Sequence, residues 1–225
     1  MPGTYAAGVE RIADGIWRWT ARHPEWHPGV WGAEVGCYAL PGAGRTVLID
    51  PLAPEGDDGF WERLDGVVAG AVVVVITIGY HLRSAEEVCA RYPGTTVWGH
   101  RNVGRRMADA TAFRELSTEH APAGVRAYGI GKPRRAELPV LVESHRALAF
   151  GDAVVGTDSG LRMWCNEPVD ERRLRFYAER FAPTLEPVLA EPFDHVLVTH
   201  GRPAVDDGTE ALAAAVHGPP WYHRG

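Results

Sequence analysis

The residues of this chain that can do acid–base chemistry gather where β-branched or apolar runs stop. Asp50 ends RTVLID (Arg45 to Asp50), His81 follows the run Val72 to Thr77, Asp152 follows Ala147 to Gly151, and His200 follows His195 to Thr199. An imidazole carries protons near neutral pH, and a carboxylate beside it can orient it. The turn Ile78 to Arg83 adds the Tyr80 phenol and the Arg83 guanidinium, and Ser84 adds a hydroxyl. Arg grips carboxylates and phosphates through two parallel hydrogen bonds, so this turn suits an anionic ligand. His81, Arg83, Asp152 and His200 are therefore the candidate catalytic residues. Tyr80, Ser84 and Lys132 are candidates for substrate binding. Asp50 reads equally well as a turn-capping carboxylate or as part of the site.

Other charged stretches carry weaker signals. Lys132, Arg134 and Arg135 lie together in GIGKPRRAE. A basic cluster of this kind is usually a solvated face, and the glycine pair before the lysine lacks the Ser or Thr of a phosphate loop. His23 and His27 fall in ARHPEWHPGVWG, where two His-Pro steps argue for a loop, and a His there more often packs or meets water than binds metal.

The elements that must position these groups start from Ala71 to His100. Val72 to Thr77 has the unbroken apolar pattern of a central strand covered on both faces. A helix should follow from Ser84, with Ser84 and Glu87 spaced as in a capping box and Pro93-Gly94 closing it. The turn between them lies at the carboxyl end of a buried strand, where open α/β sheets place ligands. Ile16 to Thr20 reads as an early strand after the Asp14-Gly15 turn. Gly36 to Leu40 and Arg45 to Asp50 read as a hairpin, and Asp57 to Leu64 as a short helix. Arg101 to Ser117 reads as helix interrupted at Gly104, and Val125 to Ile130 as a strand. Leu138 to Val142 and Ala147 to Phe150 form a second hairpin around Glu143-Ser144-His145-Arg146. Asp170 to Leu189 has helical spacing that Pro183 and Pro187 should bend or split, and Thr209 to Val216 is a small Ala-rich helix.

Composition narrows the classes. The 225 residues suffice for one domain spanning 1–225, with 45% apolar and 23% charged residues, an ordinary globular balance. A net charge of −6 with scattered basic residues argues against nucleic acid. Cys37, Cys89 and Cys165 lack metal-ligand spacing and suit reduced thiols. No apolar segment reaches the roughly 18 residues that cross a bilayer. The amino terminus has no signal pattern, so a cytoplasmic protein without a membrane partner is the expectation. Eight tryptophans, Trp26, Trp31 and Trp221 among them, could anchor a partner or a homodimer, although core filling is the simpler reading.

Taken together, ADGIW, GCYAL, TVLIDP ending at Asp50, VVITIGYHLRSAEEV, FGDAVVG at Asp152 and VLVTHGRP at His200 resemble the metallo-β-lactamase superfamily in order across nearly the whole chain. The resemblance implies an α/β fold of αββα sandwich type with its site on one edge of the paired sheets. It also implies a paired-metal centre held by T-H-x-H-x-D-H, a further His before the Gly-Asp step, the Asp itself and the late His-Gly. Here the four ligand slots counted from Thr77 fall on Ile78, Tyr80, Leu82 and Arg83, and Lys132 to Arg135 contains no His. Only Asp152 and His200 match, and an always-charged guanidinium at Arg83 opposes a divalent cation.

Three readings follow. The first is a hydrolase-like protein with a degenerate site and no metal cofactor, in which Arg83, helped by Lys132, Arg134 or Arg135, binds a small anionic ester, thioester or lactone and His81 or His200 is the base. The second is a single zinc, iron or manganese ion held by His81, Asp152 and His200 with one water. The third is a binding module without catalysis on the same scaffold. The loops Ala21 to Val35 and Met163 to Pro168 should flank the site and set its specificity.

Overall fold

The computed structural model describes residues 8–27, 32–42 and 44–223. Seven strands run in sequence order across the first sheet: β1 (Glu10–Ala13), β2 (Ile16–Arg22), β3 (Glu34–Gly42), β4 (Arg45–Ile49), β5 (Ala71–Ile76), β6 (Thr96–Gly99) and β7 (Phe113–Glu115). The first four are antiparallel neighbours, and β4 to β7 are parallel. A second sheet has the order β13-β10-β9-β8, built from β8 (Val125–Ala127), β9 (Val140–Val142), β10 (Ala147–Phe150) and β13 (His195–Val198). β11 (Val154–Thr157) and β12 (Gly160–Met163) form a separate hairpin.

Alternation along the strands builds four layers. Val73 and Val75 of β5 meet Val140, Val142, Ala147 and Ala149 between the two sheets. Val72, Val74 and Ile76 face the other way, onto Phe60 and Leu64 of α1 (Phe60–Asp65), Ala85 and Val88 of α2 (Ala85–Arg91) and Val103 of α3 (Arg101–Gly104). On the far side Leu141, Leu148, Phe150, Val196 and Val198 pack under Leu185, Val188 and Leu212. These belong to the segment holding α4 (Glu171–Phe176) and α5 (Glu186–Leu189), and to α6 (Gly208–His217). The result is helix, sheet, sheet, helix. Burying a Val on both faces of β5 contributes roughly 1.5–3 kcal/mol per side chain, which makes this strand the centre of the assembly.

Two local expectations change and a third holds. Ser84 stands at the helix N-cap but makes no side-chain cap bond, because its Oγ accepts from the Ala53 amide at 3.0 Å. The helix expected over Arg101 to Ser117 stops at Gly104, and Phe113 to Glu115 becomes β7. The Phe113 ring packs so closely on Gly104 that a Cβ there would lie 2.6 Å from it, a contact that favours turning back to pair with β6 over continuing the helix. The segment Asp170 to Leu189 does split: α4 passes into a π-helical turn at Tyr177–Phe181 and a 3-10 turn at Ala182–Thr184 before α5. β12 has no counterpart among the sequence expectations. No helix among the described residues is long and apolar enough to cross a membrane.

Parallel pairing decides where the strand ends meet. Ile49 pairs with Val75, and Phe150 with Val198, so Asp50, Thr77, Asp152 and His200 all emerge at the same end of their sheets. Tyr38 then ties the sheets together, donating its hydroxyl to the Val198 carbonyl at 2.7 Å and accepting from the Val198 amide at 3.1 Å. The Gly36 amide donates to the Thr199 carbonyl at 2.7 Å, and a Cβ on Gly36 would lie only 3.0 Å from the Val198 oxygen. Leu138 N to Thr77 O, at 2.7 Å, makes the matching link from the other side.

Candidate functional site

At this shared rim the buried carboxylate of Asp50 is the first fixed point. Its Oδ1 accepts from the Thr77 amide at 2.8 Å, and its Oδ2 accepts from the Thr77 hydroxyl and from His81 Nδ1, the latter at 3.1 Å. A carboxylate can only accept, so the neutral His81 ring carries its proton on Nδ1 and turns the Nε2 lone pair outward. His81 Nε2 stands 3.6 Å from Asp152 Oδ1, and His200 Nε2 stands 3.5 Å from that same oxygen. Both separations exceed a direct hydrogen bond and suit a group bridged between the three atoms. Asp152 Oδ2 accepts from the Tyr80 hydroxyl. All of these side chains except Tyr80 are buried.

Around them lies a cleft of about 340 Å³. His23, Glu25, Trp26 and His27 line one side from the loop after β2, and Trp164 lines the other beyond β12, so both loops expected to flank the site do so. Trp164 also meets the His200 ring edge-on at 5.7 Å. A larger groove of about 590 Å³ lies beside α2 and β7, lined by Cys89, Met107 and Arg114 among others, but it contains no imidazole. Chemistry rather than volume singles out the smaller cleft.

The electrostatics fit proton transfer. Burial lowers the His81 pKa, and the Arg83 charge lowers it further, against the raising effect of Asp50 and Asp152. The ring is therefore neutral and basic at Nε2 near pH 7. Burial would raise the Asp152 carboxyl, but His200, His81 and Arg134 outweigh it and hold the group well below the usual carboxylate range. Burial and the Asp152 charge push the Tyr80 phenol up, so it stays protonated and donates.

Arg83 does not line the cleft. Its Nη1 donates to the Asp50 carbonyl at 2.9 Å, while its buried Nε and Nη2 have no hydrogen-bond partner. Its charge nevertheless reaches both His81 and His23. Asp50 and Arg83 also share a rare backbone: φ is +44° at Asp50 and +46° at Arg83, a left-handed conformation that costs a non-glycine residue about 1–3 kcal/mol. Arg134 places its guanidinium 4.9 Å from the Trp164 ring centre, with Nε and Nη2 buried and unpartnered. Its charge acts on Asp152 and Tyr80.

Two more candidates stand elsewhere. Ser84 is buried against Ala53, and Lys132 is exposed; neither lines the cleft. Arg135 is exposed as well. Trp221 runs beside β12, its backbone bonded to Met163 and Cys165, and Trp31 lies outside the described residues.

The sequence reading passed over Glu137. This fully buried carboxyl accepts from the Gly151 amide at 2.9 Å and the Ala153 amide at 3.1 Å, bracing the backbone on both sides of Asp152. Its second oxygen has no hydrogen-bond partner. Burial, with the nearby Asp152 charge, pushes its pKa up to about 8. A Glu directly before the apolar run Leu138 to Val142 was the only local clue.

The paired-metal centre that the resemblance implies does not fit these residues. Ile78 and Leu82 offer no donor atom, the Tyr80 hydroxyl is committed to Asp152, and Arg83 is a cation. Among the described residues no group of three or more His, Cys, Asp or Glu side chains is disposed to hold an ion.

No family profile and no curated protein matches the sequence. Solved structures do. The DIM-1 metallo-β-lactamase exposed to ceftazidime matches with a TM-score of 0.64 at 12% identity, covering 92% of this chain and 95% of that one. The metallo-β-lactamase of Erythrobacter litoralis matches with a TM-score of 0.61 at 13% identity, covering 92% and 94%. The chemotaxis sensor ODP, in a peroxy diiron state, matches with a TM-score of 0.58 at 11% identity, covering 90% and 92%. The chain has the metallo-β-lactamase fold.

Proposed function

We propose that the protein binds and hydrolyses a small anionic ester, thioester or lactone in this cleft without a paired-metal centre. The observation that carries the reading is the Asp50–His81–Asp152–His200 chain, with His81 oriented by Asp50 and two partly unpartnered guanidinium groups behind it. A water between His81 Nε2 and Asp152 Oδ1 gives its proton to Nε2, and the Asp50 carboxylate stabilises the imidazolium that forms. The oxygen of that water bonds to the substrate carbonyl. As the carbon–oxygen or carbon–sulfur bond to the leaving group breaks, the proton passes to the leaving atom. Arg83 and Arg134 stabilise the negative charge of substrate and intermediate through the low-dielectric wall.

The test is a panel of such esters, thioesters and lactones run with and without a chelator. Turnover by the native protein that resists the chelator and is lost in His81→Ala supports the reading. Turnover that survives both His81→Ala and Asp152→Asn removes it. Anion binding that depends on Arg83, with no turnover across the panel, leaves a binding module on this scaffold.

A second reading is a single zinc, iron or manganese ion on His81, Asp152 and His200, which would have to draw these side chains together, since as they stand they are not disposed to hold one; one geometric feature favours it. Two imidazole Nε2 atoms face one carboxylate oxygen, and the Nδ1 of His81 is held by a second carboxylate, as in many metal-ligating histidines. Near-stoichiometric metal in protein purified without chelators, lost in Asp152→Asn, would establish it.

A further inference from the structure

The opposite rim of the sandwich, where β4 and β10 begin instead of end, holds a second constellation. Ser144 and His145 lie in the 3-10 turn joining β9 to β10. His145 Nε2 lies 2.9 Å from the Pro41 carbonyl oxygen, and Ser144 Oγ lies 3.0 Å from His145 Nδ1. A carbonyl oxygen only accepts, so Nε2 carries the ring proton. Nδ1 of the neutral imidazole is then an acceptor, and the Ser144 hydroxyl must be the donor. Nucleophile, base and orienting group are thereby arranged in series. Glycines make room for the ring: a Cβ at Gly15 would lie 3.0 Å from Nε2, and one at Gly42 would lie 3.5 Å from Cε1. The dyad lines a cavity of about 210 Å³ whose apolar walls are Leu40, Val47 and Val142 and whose cation is Arg45. The neighbouring Glu143 carboxylate is engaged by Arg126 at 2.9 Å.

We infer that Ser144 and His145 form a second, serine-based nucleophilic site that takes short-chain acyl esters, independent of the cleft at the other rim. Ser144 Oγ bonds to the ester carbonyl carbon as its proton passes to His145 Nδ1. The carbon–oxygen bond to the alcohol breaks, and the departing alkoxide takes the proton from Nδ1. A water then repeats the exchange, releasing the carboxylic acid and restoring the hydroxyl. Arg45 supplies positive charge to the oxyanion, and the cavity falls below the roughly 300–1,000 Å³ of pockets for larger ligands, which restricts the acyl group to a small one.

An alkyl fluorophosphonate tests this on the full chain, since Ser144 Oγ would displace fluoride from phosphorus with the same proton transfer. The expected result is one adduct, mapped by peptide mass spectrometry to Ser144, absent in Ser144→Ala and formed at least about tenfold more slowly in His145→Gln. Because His145→Gln loosens the turn, the native protein is also labelled across a pH series, where the rate should rise with deprotonation of a single imidazole. An adduct on another residue overturns the inference. So does Ser144 labelling no faster than in the denatured chain, or a rate indifferent to both His145→Gln and pH.

Discussion

The Asp50 carboxylate does three things at once: it holds Thr77, fixes the tautomer of His81 and faces the imidazolium that proton transfer would create. Asp50→Asn keeps the size of the side chain but can offer an N–H where His81 needs an acceptor. For any ester of the panel that the native protein turns over, the rate constant should fall by about 10²–10⁴-fold with a small change in KM. Steady-state kinetics of the variant check this. Arg83 acts by charge, and removing it has two separable consequences. Arg83→Ala should weaken binding of an anionic ligand by about 1–2 kcal/mol, the size of one charge acting through the cleft wall at an effective dielectric constant of about 20, measured by calorimetry, and should raise the His81 pKa, read by NMR titration of the ring. The second shift follows from the sign of the present effect, since the guanidinium now lowers that pKa. A His81 titration unmoved in the variant would mean that Arg83 is not the charge felt at the site.

Elements meet at the site through close backbone approaches, and the glycines and the buried Glu137 record them. Gly201 has φ of +81°, and a Cβ on it would lie 1.8 Å from the Gly156 carbonyl oxygen. The glycine after His200 therefore lets the end of β13 press against β11. Gly201→Ala should cost more than the roughly 1–3 kcal/mol of ordinary overpacking, seen as a lowered urea midpoint. Glu137 links the segment before β9 to the loop after β10. Its folded pKa is raised from 4.5 to about 8, so between those values the native state holds a proton that the unfolded chain has released. Stability must then fall as pH rises through that window. Glu137→Gln removes the titration while keeping an oxygen for the two amides. Urea midpoints of native and variant protein should differ more at the alkaline end of the window than at the acid end, with the variant gaining there.

At the scale of the whole molecule a net charge of −6 meets a site proposed to bind anions. Attraction has to come from the local field of Arg83 and Arg134 against the field of the remaining surface. Raising ionic strength from about 0.01 M to about 1 M shortens the screening length from roughly 30 Å to 3 Å. KM for an anionic substrate should therefore change with salt while the KM of an uncharged analogue does not. Kinetics at the two salt concentrations check this, and a salt response shared by both substrates would point to a general effect on the protein.

Much of the architecture was legible along the chain because its signals are local. A six-residue β-branched run, a Gly-Asp step and a His-Gly step each announce a strand end within a few residues, and their order carried the resemblance and with it the αββα sandwich. The central strand, both hairpins and the proline-split helix could be read this way. The helix expected over Arg101 to Ser117 could not, because the contact between Phe113 and Gly104 belongs to packing. The site was half legible. His81, Asp152 and His200, singled out by position, line the cleft, yet the sequence left Asp50 undecided, overlooked Glu137, and offered Arg83, Ser84 and Lys132, which lie off it. Those outcomes depend on side-chain direction and on contacts between residues 31 positions apart, as for Asp50 and His81, or 14 apart, as for Glu137 and Gly151. Spacing along a strand determines which face a residue takes; only the pairing of β4 with β5 sets Asp50 against His81, and only the closing of two sheets at Tyr38 and Val198 brings that imidazole to Asp152.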